Sequence, residues 1–484
     1  MIETVGRDGP KNLTLTEQAF LFMVFALGAL IKNDGKSETF YKQAASVAFE
    51  VVSETSTESA SLAFLLALYQ QTTGRISAAW TALGIVVRIA QALGCRPRSP
   101  YISLFAPIDV GLDHRNVSHW GLSSFHQEFR RRIWANIYVL DAYQSVVYGR
   151  PPIIQDTECD VDPPSTSIDD AELTADTQVP TNPDTDGRPK QMDFHLAYYK
   201  LCKLSNRMMK RLYLNVEAKF DTWETIRGIT ESLQEFRVSL PKHLRFENLE
   251  SQDDVIQRQA IFLDMFISHT LNICCRPLLV HRQATSVSPA VALHRRNYCQ
   301  DVAVTASNHL ASIMDYRHKC GFLARMLFSA SGVFLTAAEV LALHAIVAPK
   351  DSPGGIEAWK NINKLLALFV YSDRAGPFTA QSMSILQDLI RLVVRINEER
   401  KSGCNGAQKL VTIPPSPTGL ASSANTEVLP AVGGVEDDLF PSELLHDFLA
   451  QDPFPTLAMD DMIWMPEKSM SSVWGNIGEW KEFI

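Results

Sequence analysis

A few clusters of residues in this chain have the chemistry to bind a metal ion or to react as nucleophiles. They are His114, His119 and His126, the acidic pairs Asp169–Asp170 and Asp253–Asp254, and the adjacent thiols Cys274–Cys275. Imidazoles and carboxylates can hold a divalent cation, and paired thiols can undergo redox chemistry. However, the histidines are irregularly spaced, neither acidic pair has a third carboxylate four residues after its first Asp, and the cysteines lie within an apolar helical pattern. We therefore predict surface histidines, solvated acids and packed cysteines.

No enzyme motif is present in the 484 residues. The chain has no G-x-S-x-G, no G-x-x-x-x-G-K-[ST], no G-x-G-x-x-G and no H-E-x-x-H, which are spacings typical of acyl transfer, nucleotide binding and zinc hydrolysis. The formal net charge is −9 and the eight cysteines are scattered. Most of the surface is therefore unsuited to phosphate binding, and a reducing compartment is expected. The sequence predicts that the chain is not an enzyme and has no catalytic, cofactor-binding or metal-binding residues.

The strip between Glu128 and Pro164 has the most specific pattern in the chain. A carboxylate inside its helical segment falls on the face expected to be buried, so it needs a charged or multi-donor partner. Arg150 is one candidate partner because the chain reverses just before it, and Arg131 and Arg132 are alternatives. The cations near the start of the helix oppose the helix dipole, so we expect carboxylate or carbonyl partners for them elsewhere in the fold. The residues that define the strip are Arg131, Arg132, Trp134, Asp141, Gly149, Arg150 and Pro151.

Helical periodicity accounts for most of the remaining chain and predicts an all-α fold, a large multi-helix bundle over about residues 10–400. Residues 162–190 are rich in Asp, Thr and Pro, which predicts a disordered insertion. Residues 401–434 have the composition of a flexible linker. The apolar run Ala19–Ile31 is shorter than the roughly 20 residues that cross a bilayer, so it predicts a buried helix and no membrane partner.

These features together resemble the fungal-specific transcription factor domain, the middle homology region of zinc-cluster transcription factors. The succession R-R-x-W, L-D, G-R-P and D-x-P in the strip is similar to the family signature, and the segments from Trp80 to Gly94 and from Phe262 to Pro277 resemble two further family helices. The resemblance covers about residues 13–400. It implies an all-helical regulatory body in which the seven residues that define the strip are architectural, with no catalytic or DNA-contacting role.

The zinc cluster of that family is not visible in this sequence. Six cysteines in paired Cys-x-x-Cys spacings are needed to bridge two zinc ions, whereas the first cysteine here is Cys95 and no Cys-x-x-Cys occurs. The resemblance therefore implies no cofactor in this chain, with zinc only in a cluster absent from it. DNA contact would come through a missing module or a partner protein. The resemblance also implies a nuclear location and leaves open a small-molecule effector and a homo- or heterodimer.

The segment 435–484 differs in composition from the rest of the chain. Acidic and large apolar residues alternate from Val435 to Glu467 without Lys or Arg, which is typical of an acidic activation domain that folds on a coactivator. We predict coactivator contacts at Phe440, Leu444, Leu445 and Phe448. A tail that packs back onto the helical body is the alternative.

The interpretation as a whole is a fungal-type transcriptional regulator that acts as an activator. One alternative is a non-DNA-binding partner or inhibitor of a zinc-cluster factor. Another is a helical small-molecule-binding protein or enzyme, which would have a deep pocket with convergent polar groups.

Overall fold

The computed structural model describes residues 13–32, 35–53, 55–93, 123–159, 161–174, 189–214, 221–280, 287–313, 321–348, 352–371, 386–391 and 393–395. Within these ranges the regular structure is helical and there is no strand, which confirms the predicted all-α fold. The predicted linker at 401–434 and the acidic segment at 435–484 lie outside the described residues. The extent of the predicted bundle, residues 10–400, stays a prediction.

The described part of the chain contains a series of α-helices. They are α1 (Leu15–Lys32), α2 (Ser37–Ser53), α3 (Thr57–Thr72), α4 (Ile76–Ala92), α5 (Ser124–Tyr148), α6 (Gln191–Met208), α7 (Thr222–Ser239), α8 (Asp254–Val280), α9 (Pro289–Ile313), α10 (Gly321–Val347) and α11 (Pro353–Tyr371). A π turn (Met209–Tyr213) extends α6, and 3-10 turns occupy Asp156–Glu158, Asp170–Glu172, Lys242–Leu244 and Phe246–Ser251. Residues 386–391 and 393–395 are also helical.

A small apolar core joins α1, α2 and α3. The side chains of Ala19 and Met23 from α1 and Leu62 from α3 are fully buried in it. By length and composition, α1 is the one helix among those described that could span a membrane. Its burial against two neighbouring helices supports the predicted core helix. The helix is longer than the predicted apolar run because its polar ends continue the helical turns to Leu15 and Lys32.

Two larger cores share α8, which lies between them. One face of α8, with Phe266, packs into the core formed by α3 to α9, where Tyr138 and Ile137 of α5 are fully buried. Another face, with Met265, packs against α9, α10 and α11. The helix that carries the signature strip, α5, is therefore surrounded by other elements, and many of its polar groups must find partners inside the protein.

Pro277, near the C-terminal end of α8, predicts that this helix ends before the proline, but the structure differs. The helix continues through Pro277 to Val280. A proline inside a helix removes one N–H and leaves the carbonyl four residues earlier without its helical donor. That carbonyl belongs to Ile273, and the hydroxyl of Tyr213, the last residue of the π turn, donates to it at 2.7 Å. A side chain from another element thus replaces the missing hydrogen bond.

The replacement of the missing backbone N–H by the Tyr213 hydroxyl can be tested. Tyr213→Phe removes only the hydroxyl, so it should lower the free energy of unfolding by about 1 kcal/mol, measured by urea denaturation. A matched control is available at the same site, because Pro277→Ala restores the backbone N–H. In the Pro277→Ala background, Tyr213→Phe should cost almost nothing, and an equal cost in both backgrounds would show that the hydroxyl does not compensate for the proline.

Candidate functional site

A buried ionic cluster organises the first turns of α5 and is centred on Glu128. The helix begins at the N-cap Ser123, whose side chain accepts the backbone N–H of His126. The Glu128 side chain is fully buried, one oxygen accepting Nε–H of Arg131 at 2.9 Å and the other Nε–H of Arg132 at 2.9 Å. The spacing of three and four residues places both guanidinium groups beside the same carboxylate. The expectation that these cations have carboxylate partners is confirmed, and one of the carboxylates lies on the same helix.

The Glu128 cluster extends into the segment that follows the strip. The backbone N–H of Ser165 donates to Glu128 at 2.9 Å, and Arg132 donates to the carbonyl of Ile168 at 2.6 Å and pairs with the carboxylate of Asp170. Residues 161–174, the first part of the predicted disordered insertion, are therefore packed against α5. The prediction was wrong for this part because buried hydrogen bonds to charged groups compensate for a poor apolar content. Residues 175–188 lie outside the described residues.

Asp141 is buried in the second half of α5, as the sequence predicted. The prediction of a guanidinium partner for its carboxylate was wrong. The side chain is 2 % exposed, and its two oxygens accept the backbone N–H groups of Ile153 and Ile154 at 3.0 and 2.9 Å. The carboxylate is thus held by the backbone of the chain after the reversal. Burial raises the pKa of Asp141 to about 6, although both backbone hydrogen bonds and the charge of Lys210 oppose the shift.

The reversal itself is built by three consecutive residues. Gly149 has φ 66° and ψ 24°, the left-handed conformation that glycine adopts most easily at a helix end. Pro151 then prevents a further helical turn. Arg150 turns away from Asp141 and lies over the ring of Trp80 in α4, 5.1 Å from its centroid, with a hydrogen bond of 3.0 Å to the hydroxyl of Ser77. Arg150 therefore connects the reversal to α4 by a cation–π contact.

A second polar group links the strip to α6. The hydroxyl of Tyr138 in α5 donates to Asp156 at 2.6 Å and accepts from the side-chain amide of Asn206 at 3.1 Å. Lys210 in the π turn pairs with the other oxygen of Asp156 at 3.0 Å. Burial and the charge of Asp156 raise the pKa of Tyr138, so the phenol stays protonated and acts as a donor. Trp134, on the same helix, is buried in the apolar core.

The His, Asp and Cys residues first considered for chemistry are not brought together in the described part of the chain, or they make structural contacts. His114 and His119 lie outside the described residues, and His126 sits beside the Ser123 hydroxyl at 2.8 Å. In the second acidic pair, Asp253 caps α8 through the N–H of Ile256 at 2.9 Å. Among the residues that the structure describes, no group of three or more His, Cys, Asp or Glu side chains could hold a metal ion.

The prediction of solvated acids holds for Asp170, whose side chain is 50 % exposed, but not for the half-buried Asp169. Asp169 accepts the backbone N–H of Met192 at 3.1 Å and so anchors the start of α6, while Asp170 is the acidic partner of Arg132. Cys274 and Cys275 are fully buried in the main core, which confirms the prediction of packed cysteines. These groups position elements relative to one another, and their arrangement is suited to architecture.

Two buried imidazoles reinforce this conclusion. Burial lowers the pKa of His195 and of His269 to about 4 each, so both rings are neutral at physiological pH. His269 lies in α8 with its side chain fully buried, and His195 lies in α6 near Arg132 and Asp170. An open groove of about 510 Å³ lies on α4, bordered by Thr81, Ile85 and Arg88, and neither imidazole lines it.

Sequence reasoning missed two central residues of the site, Glu128 and Tyr138. Glu128 had a readable signal, because the succession E-x-x-R-R places two cations three and four residues after a carboxylate. Tyr138 had none, since its hydrogen-bond partners Asp156 and Asn206 come from two separate segments. The structure gives side-chain contacts for five of the seven residues that define the strip, Arg131, Arg132, Trp134, Asp141 and Arg150, and the architectural role of all seven stays a prediction.

Comparison with known proteins identifies this part of the chain. Residues 6–238 match the family described as the fungal specific transcription factor domain, so the segment from α1 to α7 is a domain of this type. The predicted extent of the resemblance was larger, about residues 13–400. No solved structure matches the chain.

The relatives of the chain are fungal transcriptional regulators. The chain is 24 % identical over 375 residues to an uncharacterised transcriptional regulatory protein of Schizosaccharomyces pombe, covering 72 % of this chain and 43 % of that protein. It is 24 % identical over 308 residues to the activator of stress genes 1 of Saccharomyces cerevisiae, covering 60 % and 30 % respectively. A Zn(2)-C6 fungal-type transcription factor of Monascus ruber is 32 % identical over 92 residues, 19 % of this chain and 9 % of that protein. The chain thus spans less than half the length of these relatives.

The Glu128 cluster predicts that two similar ion pairs contribute very differently to the free energy of unfolding. Glu128→Ala removes a buried carboxylate and leaves the partly buried Arg132 without its helical partner, so it should lower the free energy of unfolding by roughly 3 kcal/mol. The matched control is Glu224→Ala in α7, where Glu224 pairs with Arg227 at the same spacing of three residues but on an exposed surface. That control should hardly change the stability. Similar losses for the two variants in urea denaturation would contradict the importance of the cluster.

The raised pKa of Asp141 predicts a pH dependence of stability with a definite sign. A carboxyl group whose pKa is higher in the folded protein binds its proton more tightly there, so it stabilises the fold at low pH. This contribution is lost as the pH rises through the folded pKa of about 6. Between pH 5 and pH 7.5 the wild type should lose about 1 kcal/mol of unfolding free energy relative to Asp141→Asn, which cannot titrate. A constant difference between the two proteins across this range would show that Asp141 does not titrate there.

Proposed function

We propose that this chain is a fungal-type transcriptional regulator that works as an activator. The single observation that supports this most strongly is the match of residues 6–238 to the fungal specific transcription factor domain. Within that domain the charged side chains of Glu128, Arg132 and Asp141 all have structural hydrogen-bond partners, in keeping with a protein whose helical body regulates and does not catalyse. The proposal therefore assigns no catalytic residue and no cofactor to this chain.

The proposal divides the work between two parts of the chain. The helical body responds to an effector molecule or to a protein partner, and the acidic segment 435–484 recruits the transcription machinery. Nine acidic residues between Val435 and Glu467 alternate with large apolar residues, a composition that keeps a segment solvated while its apolar side chains are available to fold against a groove. Phe440, Leu444, Leu445 and Phe448 are the proposed coactivator contacts.

The proposal places the protein in the nucleus and makes its contact with DNA indirect. The 484 residues have no Cys-x-x-Cys spacing, so a zinc-cluster module would have to come from another part of the same gene or from a partner in a heterodimer. The name of the Monascus ruber relative, which includes Zn(2)-C6, supports a zinc cluster as the type of module. Sequencing of the transcript upstream of the codon for Met1, together with co-purification from fungal nuclei, distinguishes the two sources.

The activation step can be tested by transfer to an unrelated protein. Residues 430–484 fused to a heterologous DNA-binding module should activate a reporter gene in a fungal host. The matched control is the same fusion with Phe440, Leu444, Leu445 and Phe448 changed to Ala, which retains every acidic residue. Because a few buried apolar anchors dominate most interfaces, this control should lose activity by about tenfold or more. Equal activity of the two fusions would reject the proposed contacts, and no activation by either would reject the activator.

A further inference from the structure

A row of cations covers the solvent face of α6 and of the π turn that follows it. The row consists of Lys200, Lys203, Arg207, Lys210 and Arg211, and we refer to it as the basic stripe. The steps of three and four residues place all five on one side of the helix. Between residues 200 and 211 the other positions, apart from the half-buried Leu204, are buried in the core. Between residues 200 and 211, Lys and Arg therefore occupy nearly every position that the chain shows to water.

The basic stripe is unusual in a chain whose net charge is −9. No Asp or Glu occurs in the sequence from Phe194 to Val216, so no acid alternates with these cations along the helix. Like charges three and four residues apart repel each other and weaken a helix. The stripe therefore costs stability unless negative charge from elsewhere covers it.

The body of the protein supplies only part of that negative charge. Asp156 pairs with Lys210 at 3.0 Å, and both Asp156 and Asp162 are close enough to Tyr199 to add to the rise that burial causes in its pKa. Lys203 lies over the ring of Tyr199, 5.1 Å from its centroid. Lys200, Lys203 and Arg207 have no carboxylate partner among the described residues, so their charge is not neutralised within the described part of the protein.

Arg207 shows the same shortage of acceptors. It has a hydrogen bond of 3.1 Å to the neutral hydroxyl of Ser232, and its buried Nε–H has no acceptor among the described residues. A guanidinium group that is partly desolvated without a carboxylate is a favourable place for an incoming anion. The chemistry of the stripe, with an aromatic ring beneath one of its lysines, suits an acidic peptide that also carries apolar side chains.

This chain contains a segment with that chemistry. From Val435 to Glu467 it has nine acidic residues and no Lys or Arg, interleaved with Leu, Phe, Met and Trp. Residues 396–435 connect the last described helical residues to it, and about 40 residues span up to roughly 130 Å when extended. The longest helices here are 27 residues, or about 40 Å. The segment can therefore reach α6 within the same molecule, where its effective concentration is high.

We propose that the acidic segment 435–467 docks in cis on the basic stripe of α6 and the π turn, so that its apolar side chains are withheld from other proteins. This inference rests on the proposed function, in which the same segment recruits a coactivator. Docking keeps the chain inactive until an effector or partner displaces the segment. Because the interaction is between exposed charges, it weakens as salt rises and the screening length falls from about 8 Å at 0.15 M to a few ångström at 1 M.

Zero-length cross-linking of the full chain tests the contact directly. A carbodiimide joins a lysine amine to a carboxylate only when the two touch. Peptide mass spectrometry should find Lys200 and Lys203 linked to carboxylates between Glu436 and Glu467, with yields well above those of the exposed control lysines Lys42 and Lys360. The links should fall severalfold in 1 M salt. Equal yields for Lys200, Lys203 and the control lysines would overturn the proposal.

Two further measurements separate the proposed occupant from other anions. In a mixture of isotope-labelled and unlabelled chains, the links should join residues of one chain, and links mainly between chains would overturn docking in cis. Lysine acetylation of the full chain should be slow at Lys200 and Lys203 and should become fast when residues 435–484 are deleted. Protection by added duplex DNA, with no change on deletion, would overturn the proposal and assign the stripe to phosphate binding.

A reporter assay tests the consequence with the full chain fused to a heterologous DNA-binding module. Charge reversal at three exposed cations of the stripe, Lys200→Glu, Lys203→Glu and Arg211→Glu, should raise activation severalfold. The matched control reverses three exposed cations elsewhere, Lys42→Glu, Arg88→Glu and Lys360→Glu, and should leave activation unchanged. An equal response to both variants would contradict the docking. Failure of the proposed function appears separately, as an inactive fusion of residues 430–484 alone, and leaves the cross-links in place.

Discussion

Buried carboxylates on α5 are the constraint on which the rest of this structure depends. Glu128 and Asp141 are both removed from water, and each would cost several kcal/mol if it lacked donors. Glu128 receives two donors from Arg131 and Arg132 on the same helix and one from the backbone of Ser165. Both donors to Asp141 come from the chain after the reversal at Gly149. The helix therefore cannot be buried correctly until the following 25 or so residues wrap back onto it, which couples local structure to topology.

The parts of this arrangement that the sequence predicted are those with a strong local signal. The all-α fold follows from periodicity, the end of α5 follows from Gly149 and Pro151, and the burial of Asp141 follows from its place on an apolar face. The partner of Asp141 could not be predicted, because Ile153 and Ile154 contribute main-chain N–H groups that every non-proline residue has. The continuation of α8 through Pro277 was missed for a similar reason, since its compensating hydroxyl is distant in sequence.

Asp156 connects the signature strip to the basic stripe. This carboxylate accepts a hydrogen bond from Tyr138 of the signature helix and pairs with Lys210 at the end of the basic stripe. The signature strip thus fixes the position of α6 and of the cations on its surface, although none of the seven residues that define the strip belongs to the stripe. Because Arg132, Trp134 and Asp141 of the strip are buried, related proteins can keep these residues and still present different surfaces.

The way in which Asp141 is held has a consequence for comparing related proteins. Any residue except proline can stand at positions 153 and 154 and still offer its amide to the carboxylate. An alignment would then show no compensating exchange between position 141 and its donors, so contact inference from correlated substitutions would overlook the link that closes the reversal. In an alignment, this contact would be visible only as an acid at position 141 and an absence of proline at positions 153 and 154. A search for homologues would do better to weight these two features than overall identity.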